Sequence, residues 1–178
     1  TEFVYSYFES RKGAQFDKSV FFGLQYYLKE YITGRSLTQE FIEEAAELCR
    51  FHFGNNTAFN RKGWEYILSQ HGGRLPVAIK AVPEGSLVEV DNVLFTVINT
   101  DPNCAWITSY LETVLSKIWA SCYVATLSRE CKQTLKRYLD DSSDNLGGLD
   151  FMLHDFGCRS TSSEEAAGIL GLAHLINF

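Results

Sequence analysis

No block of lysine and arginine occurs anywhere in this 178-residue chain, whose 16 basic and 22 acidic residues leave a formal charge of −6. That argues against a nucleic acid as partner, because holding a phosphate backbone takes a basic stripe. A small local anion site remains compatible with the negative total. Cysteine pairing is missing as well: Cys49, Cys104, Cys122, Cys131 and Cys158 are odd in number, and no two stand in a Cys-x-x-Cys pair. The spacing predicts neither a disulfide framework nor a zinc site, and free thiols in apolar segments point to a reducing, cytoplasmic setting. Long apolar runs are absent too. The longest uncharged stretch of the central helical region, Ile118 to Ser128, falls far short of the ~20 residues of a membrane span. No membrane association and no secretory leader are expected.

What is present is ordinary globular composition, 46% apolar and 21% charged, with 14% aromatics to dominate the core. The length suits one domain, or one domain and a piece of a second. The chain opens in Phe3-Val4-Tyr5-Ser6-Tyr7-Phe8 and closes in the apolar run Leu172 to Phe178 without a polar tail. That ending leads to the expectation of an excised fragment of a longer chain.

Aromatic-rich residues 3–10 predict a strand. Residues 19–33 predict a helix over Phe21, Leu24, Tyr27, Leu28 and Tyr31, stopped by Gly34. A second helix starts at the N-cap Thr38, with Phe41, Ala45, Leu48, Cys49 and His52 on its apolar face. A third runs from Asn60 to about Gln70 and ends at Gly72-Gly73. From Pro76 to Thr100 the period falls to two. Strands are expected near 77–82, 86–90 and 93–98, the last two forming a hairpin about Asp91-Asn92. A long helical region then runs to about Leu139, with a break expected at Ser121-Cys122. Residues 140–148 read as a linker, 150–154 as a short strand and 163–176 as a helix with a Ser162/Glu165 capping box.

The sharpest candidate for chemistry is His154-Asp155-Phe156-Gly157-Cys158-Arg159-Ser160-Thr161-Ser162-Ser163. Phe156 offers a flat face on which a ring can stack. Arg159 offers a planar donor fork matched to phosphate oxygens. The helix start that follows supplies unpaired N–H groups and the positive end of a dipole. Together they fit a phosphorylated ligand carrying or meeting an aromatic ring. The plainer alternative is a solvated arginine beside a serine-rich cap, with Phe156 in the core. His154 and Asp155 do not form an acid–base pair if they lie on a strand, where neighbours face opposite ways. Cys158, near the helix start, is a weak candidate nucleophile with no visible third residue to orient a base. Gly168 and Gly171 lie within the helix, where they allow close packing and do not form a phosphate loop. Arg11, at a strand end, reads in its own terms as solvated.

Several ordered stretches carry a resemblance to a known family. They are Val4-Tyr5-Ser6-Tyr7-Phe8-Glu9-Ser10-Arg11, Val20-Phe21-Phe22-Gly23-Leu24-Gln25-Tyr26, Ile79-Lys80-Ala81-Val82-Pro83-Glu84-Gly85 and Asn92-Val93-Leu94-Phe95-Thr96-Val97. Asn99-Thr100-Asp101-Pro102, Ala125-Thr126 with Ser128-Arg129-Glu130, and Leu153-His154-Asp155-Phe156-Gly157 continue the series. Across essentially all of its length the chain resembles the nicotinamide phosphoribosyltransferases. The resemblance implies an α+β fold: residues 1–145 as the N-terminal domain of a type II phosphoribosyltransferase, and 149–178 as the first β-α unit of its α/β barrel. The reaction it implies moves the phosphoribosyl group of phosphoribosyl pyrophosphate onto nicotinamide, giving nicotinamide mononucleotide for NAD biosynthesis.

By the same resemblance Phe156 stacks on nicotinamide and Arg159 contacts substrate around the pyridine and phosphoribosyl site. Arg11 reaches phosphate in the partner subunit's site, and Phe151 lies near the ligand tunnel. Magnesium, ATP as an activating co-substrate and a homodimer with shared sites are also implied. The catalytic residues are expected beyond Phe178, so the chain alone is expected not to turn over, and no metal ligand is assigned within it. Cys158 and Ser160 stand where the family usually has Tyr and Gly, and Ser160 is expected to crowd the phosphate approach. The rival readings are a non-catalytic dimerisation or binding piece and a nicotinate phosphoribosyltransferase.

Overall fold

The computed structural model describes residues 1–33 and 37–178. Gly34, the expected stop of the first helix, lies outside the described residues. The chain is mixed helix and strand. It contains β1 (Tyr5–Glu9), β2 (Lys18–Val20), α1 (Leu24–Tyr27) continued by a π-helical segment (Leu28–Thr33), α2 (Gln39–Phe53), α3 (Arg61–His71), β3 (Val77–Ala81), β4 (Leu87–Glu89) and β5 (Val93–Asn99). A 3₁₀ turn (Pro102–Cys104), α4 (Ile107–Tyr110), α5 (Glu112–Leu115), α6 (Ile118–Ser142), two further 3₁₀ turns (Leu149–Phe151 and Gly157–Arg159) and α7 (Glu164–Leu175) follow. One sheet has the strand order β1-β5-β3; β2 and β4 form a separate antiparallel pair, Lys18 opposite Glu89 and Val20 opposite Leu87.

These pairings correct two expectations. Residues 18–20 are strand and not helix, because Phe21 donates to Ser86 O (2.9 Å) and accepts from Gly85 N (2.7 Å), which ties this stretch to the β4 edge. Gly23, at φ 107°, then turns the chain; a Cβ there would collide with Ser121 Oγ. The helix begins after it, with Glu84 accepting the Gly23 and Gln25 N–H groups at 2.6 and 2.9 Å. Nor do β4 and β5 form a hairpin: Asp91 takes φ 61° between them, but each strand finds its partners elsewhere. Local turn signals do not encode which edge is free, so long-range pairing overrides them.

By contact density the chain divides into two units. The first comprises Thr1–Tyr7, Tyr26–Lys80 and Thr96–Val114; the second Phe8–Gln25, Ala81–Phe95 and Leu115–Phe178. In the first, α2 and α3 pack together. Thr38 caps α2 by accepting from Phe41 N, and Asn60 caps α3 by accepting from Gly63 N. The buried side of α2 is Ile42, with Ala45, Ala46 and Cys49 half-buried, whereas Phe41, Leu48, Phe51 and His52 are exposed. The expected apolar face is thus rotated by one position: Ile42, overlooked between Phe41 and Glu43, sets the inward direction. Trp64, Trp106 and Tyr110 pack edge to face, centroids 4.9–5.8 Å apart. Asn99, 1% exposed, is fully used: its amide donates to the Glu2 and Asp101 carbonyls and its oxygen accepts from Val4 N.

The second unit is built on α6, which packs against α7 and β2. Ile118, Cys122 and Ala125 are buried on it, and Thr126 Oγ1 accepts from Val20 N at 2.9 Å. Burial pushes the Cys122 thiol up to about 11, so it stays neutral beside the Phe22 backbone. The helical region breaks at Leu111 and around Ser116-Lys117, while α6 runs unbroken through the expected break at Ser121-Cys122. The Ser121 hydroxyl reaches the Phe22 carbonyl at 2.6 Å as well as the Ile118 carbonyl of its own helix, so it is used in tying α6 to the turn after β2. α6 also extends to Ser142, into the expected linker.

Candidate functional site

α7 is apolar on most sides, so its anchorage decides how the preceding loop is presented. Ile169 and Ala173 are buried on it; a buried isoleucine stabilises by roughly 1.5–3 kcal/mol. His174, also buried, lies with Nδ1 3.0 Å from Ser128 Oγ of α6 and stacks on Phe178, centroids 4.8 Å apart at 13°. Lys132 joins the same end. Its ammonium pairs with Asp150 at 2.5 Å, donates to the Asn177 carbonyl and stands 5.1 Å from the Phe178 ring centroid.

The N-terminus of α7 is capped by Ser163, whose Oγ accepts from Ala166 N at 3.1 Å. This shifts the cap one residue from the expected Ser162. With Ser162 and Ser163 adjacent, the sequence offers two equivalent starts, and the extended backbone of Ser163 (φ −155°) selects the second. Upstream, the loop is folded on itself. Asp155 Oδ1 accepts from Gly157 N at 2.8 Å, and a Cβ on Gly157 would meet that oxygen at 2.9 Å, so the turn suits glycine. The Ser160 hydroxyl donates to the Gly157 carbonyl at 3.1 Å, and Thr161 Oγ1 faces the Cys158 and Ser163 carbonyls at 3.4 Å.

This geometry brings together two of the four site residues read from the sequence. The Arg159 guanidinium carbon lies 5.5 Å from the centroid of the Phe156 ring. Both side chains are exposed, Phe156 by 67%, so a flat face and a donor fork are presented outward by a loop that bonds several of its own polar groups within itself. The reading of Phe156 as core is thereby overturned. The Ser160 hydroxyl, expected to crowd a phosphate approach, is bonded back to the Gly157 carbonyl of its own loop. Phe151, 76% exposed, lines a half-open cleft of about 630 Å³ with Asp150, Leu153, His154, Asp155 and His174; Phe156 and Arg159 are not among the lining residues. Arg11 is exposed after β1.

Residues 150–154 form no strand: Leu149–Phe151 is a 3₁₀ turn and the rest is irregular, since no neighbouring strand pairs with it among the described residues. The opposite-face argument against His154 and Asp155 therefore fails, and both border the cleft. His174 escaped the sequence reading; its signal was one imidazole in an otherwise apolar helix. No hydrogen bond joins the exposed Cys158 to an imidazole among the described residues, so the cysteine lacks the base a nucleophile needs. Gly168 is open, with nothing within 4 Å of a Cβ, and is not a close-packing position.

Comparison with known proteins places the chain among its relatives. Residues 1–79 match the family model described as nicotinamide phosphoribosyltransferase, N-terminal domain. A nicotinamide phosphoribosyltransferase of Xanthomonas campestris is 44% identical over 179 residues, covering 100% of this chain and 37% of that protein. One of Acinetobacter baylyi is 32% identical over 191 residues, covering 100% of this chain and 38% of that protein. A third, of Mycoplasma pneumoniae, is 32% identical over 116 residues, 63% of this chain and 26% of that protein. The chain spans less than two-fifths of the length of these curated relatives. With two of them aligned across its whole length, Phe156-to-Arg159 loop included, the chain belongs to the nicotinamide phosphoribosyltransferase family.

Proposed function

We propose that the protein to which this chain contributes transfers the phosphoribosyl group of phosphoribosyl pyrophosphate to nicotinamide, and that the Phe156–Arg159 loop forms part of its substrate site. The observation that carries the proposal is the exposed pairing of ring and guanidinium just ahead of the Ser163-capped helix. In the reaction the pyridine nitrogen forms a bond to the ribosyl anomeric carbon, and the bond to the pyrophosphate oxygen breaks, its electron pair leaving with pyrophosphate. Positive charge develops on the sugar, so the site must hold the incoming ring flat and in line while the phosphates are neutralised. Phe156 supplies the stacking face. Arg159, with the N–H groups and dipole at the start of α7, supplies donors for phosphate.

Phe151 belongs to this reading as a wall of the access route, supported by its place in the cleft. Arg11 belongs to it as a phosphate contact contributed across a homodimer. The finer architecture is part of the same proposal: residues 1–145 as the N-terminal domain, and 149–178 as the opening unit of an α/β barrel with α7 as its helix. Exposed Met152, Leu172, Leu175 and Ile176 support it as a surface on which further barrel elements would pack. A cytoplasmic location is supported only by the free cysteines; no helix among the described residues is long and apolar enough to cross a membrane.

Magnesium and ATP are proposed for the complete enzyme. Of the two acidic side chains at the cleft, Asp150 is paired with Lys132 and Asp155 is engaged by Gly157 N–H. This is not the open oxygen set that magnesium takes. The test is direct. The complete protein, given ring-labelled nicotinamide and phosphoribosyl pyrophosphate, is expected to form labelled nicotinamide mononucleotide and pyrophosphate. Absence of the mononucleotide under conditions where the protein is folded would defeat the reading.

A further inference from the structure

Within the first unit, three side chains of different metal-ligand chemistry converge. His71 ends α3, Asp101 precedes the 3₁₀ turn and Cys104 closes it; their ligand atoms all lie within 4.8 Å of one another. The convergence is built by the backbone. Asp101 Oδ1 accepts from Asn103 N (2.8 Å) and Asn103 Nδ2 (3.1 Å), which leaves Oδ2 facing His71 Nε2 (2.8 Å) and the Tyr66 hydroxyl (3.0 Å). Cys104 N donates to the Asp101 carbonyl at 2.9 Å, and this turn carries the cysteine back toward the same carboxylate. Cys104 is fully buried, whereas the His71 side chain is 29% exposed and gives a solute a way in.

We propose that His71, Asp101 and Cys104 hold one divalent transition-metal ion, zinc by the chemistry of the donors. Zinc takes imidazole nitrogen, carboxylate oxygen and thiolate sulfur at about 2.0–2.3 Å, which in a tetrahedron sets ligand atoms about 3.3–3.8 Å apart. The cluster lies within small side-chain adjustments of that spacing. Water or the Tyr66 hydroxyl completes the fourth position. A thiolate disfavours magnesium and calcium, which take oxygen ligands, so this is not the magnesium expected with phosphoribosyl pyrophosphate. On binding, the Cys104 thiol proton passes to solvent and the neutral imidazole carries its proton on Nδ1. Asp101 Oδ2 exchanges its contact with Nε2 for a bond to the ion. The ion then clips the end of α3 to the turn before α4, linking metal binding to folding. The sequence hid the site because His71 lies 30 residues from Asp101 and 33 from Cys104.

Metal-free protein titrated with cobalt(II) as the probe is expected to show a thiolate-to-cobalt charge-transfer band at one equivalent, bleached by one equivalent of zinc, and zinc is expected to raise the melting temperature. Cys104→Ser should abolish the band, while Cys49→Ser, Cys131→Ser and Cys158→Ser retain it. If Cys104→Ser does not fold, His71→Ala at the half-exposed end of α3 serves instead, weakening cobalt binding at least tenfold. No band in the wild type, or an undiminished band and affinity in His71→Ala or folded Cys104→Ser, overturns the site.

Discussion

Two polar constellations in this chain are built from similar residues and stand in opposite states. The Asp101 cluster turns its groups inward: one carboxylate takes Asn103, His71 and Tyr66, and Cys104 is buried beside it. The Phe156–Arg159 loop folds the Asp155, Ser160 and Thr161 side chains back on its own backbone and turns its ring and guanidinium outward. The first arrangement fastens elements of its own unit together and costs stability when broken. The second gains little stability from its exposed side chains, which is how a surface reserved for a ligand is expected to behave.

Substitutions can break or sharpen that contrast. The largest expected effect lies on the helix that carries His71: Ile67→Ala on α3, at a fully buried position, should cost about 2–5 kcal/mol in urea unfolding. Phe156→Ala should leave unfolding within about 0.5 kcal/mol of wild type, yet raise the KM for nicotinamide roughly tenfold in the complete enzyme, the worth of one aromatic stack of about 1.5 kcal/mol. A large stability loss there would return Phe156 to the core.

Asp101 gives a pH test. Its carboxyl is held below the ordinary range, first by the Asn103 backbone N–H and then by His71 and Tyr66. A depressed folded value means the contribution is fully present above the unfolded value of about 3.9 and is lost as pH falls through the folded one. Melting temperature should therefore fall more steeply below about pH 4 in wild type than in Asp101→Asn; parallel curves would contradict the assignment. The smallest effect is expected at the helix cap. Ser163→Ala should cost about 0.5–2 kcal/mol in the same unfolding assay, whereas Ser162→Ala should be nearly silent, since Ser163 makes the capping bond.

Elements with strong local signals were legible in the sequence: the Thr38 cap, the start of α3 at Asn60 to within a residue, the Gly72 stop and the alternation through β5 all stand as expected. What escaped it was decided at a distance. Residues 18–20 became strand because the β4 edge was available, and the inward side of α2 was set by Ile42 against α3. At the site, the pairing of Phe156 with Arg159 was legible because both sit in one short loop. The cleft residues were not, since the strand expected at 150–154 did not form and His154 and Asp155 came to border the same space. His71 with Asp101 and Cys104 is the extreme case, a cluster that exists only once the turn after β5 meets the end of α3.

The central claim is that the outward loop serves substrate and not the fold. The most direct measurement compares initial rates of nicotinamide mononucleotide formation by the complete protein and its Arg159→Ala variant, with melting curves of both. A loss of about 100-fold or more in kcat/KM, close to 3 kcal/mol of transition-state stabilisation, with unchanged melting is the predicted result. Unchanged kinetics in the folded variant would contradict it.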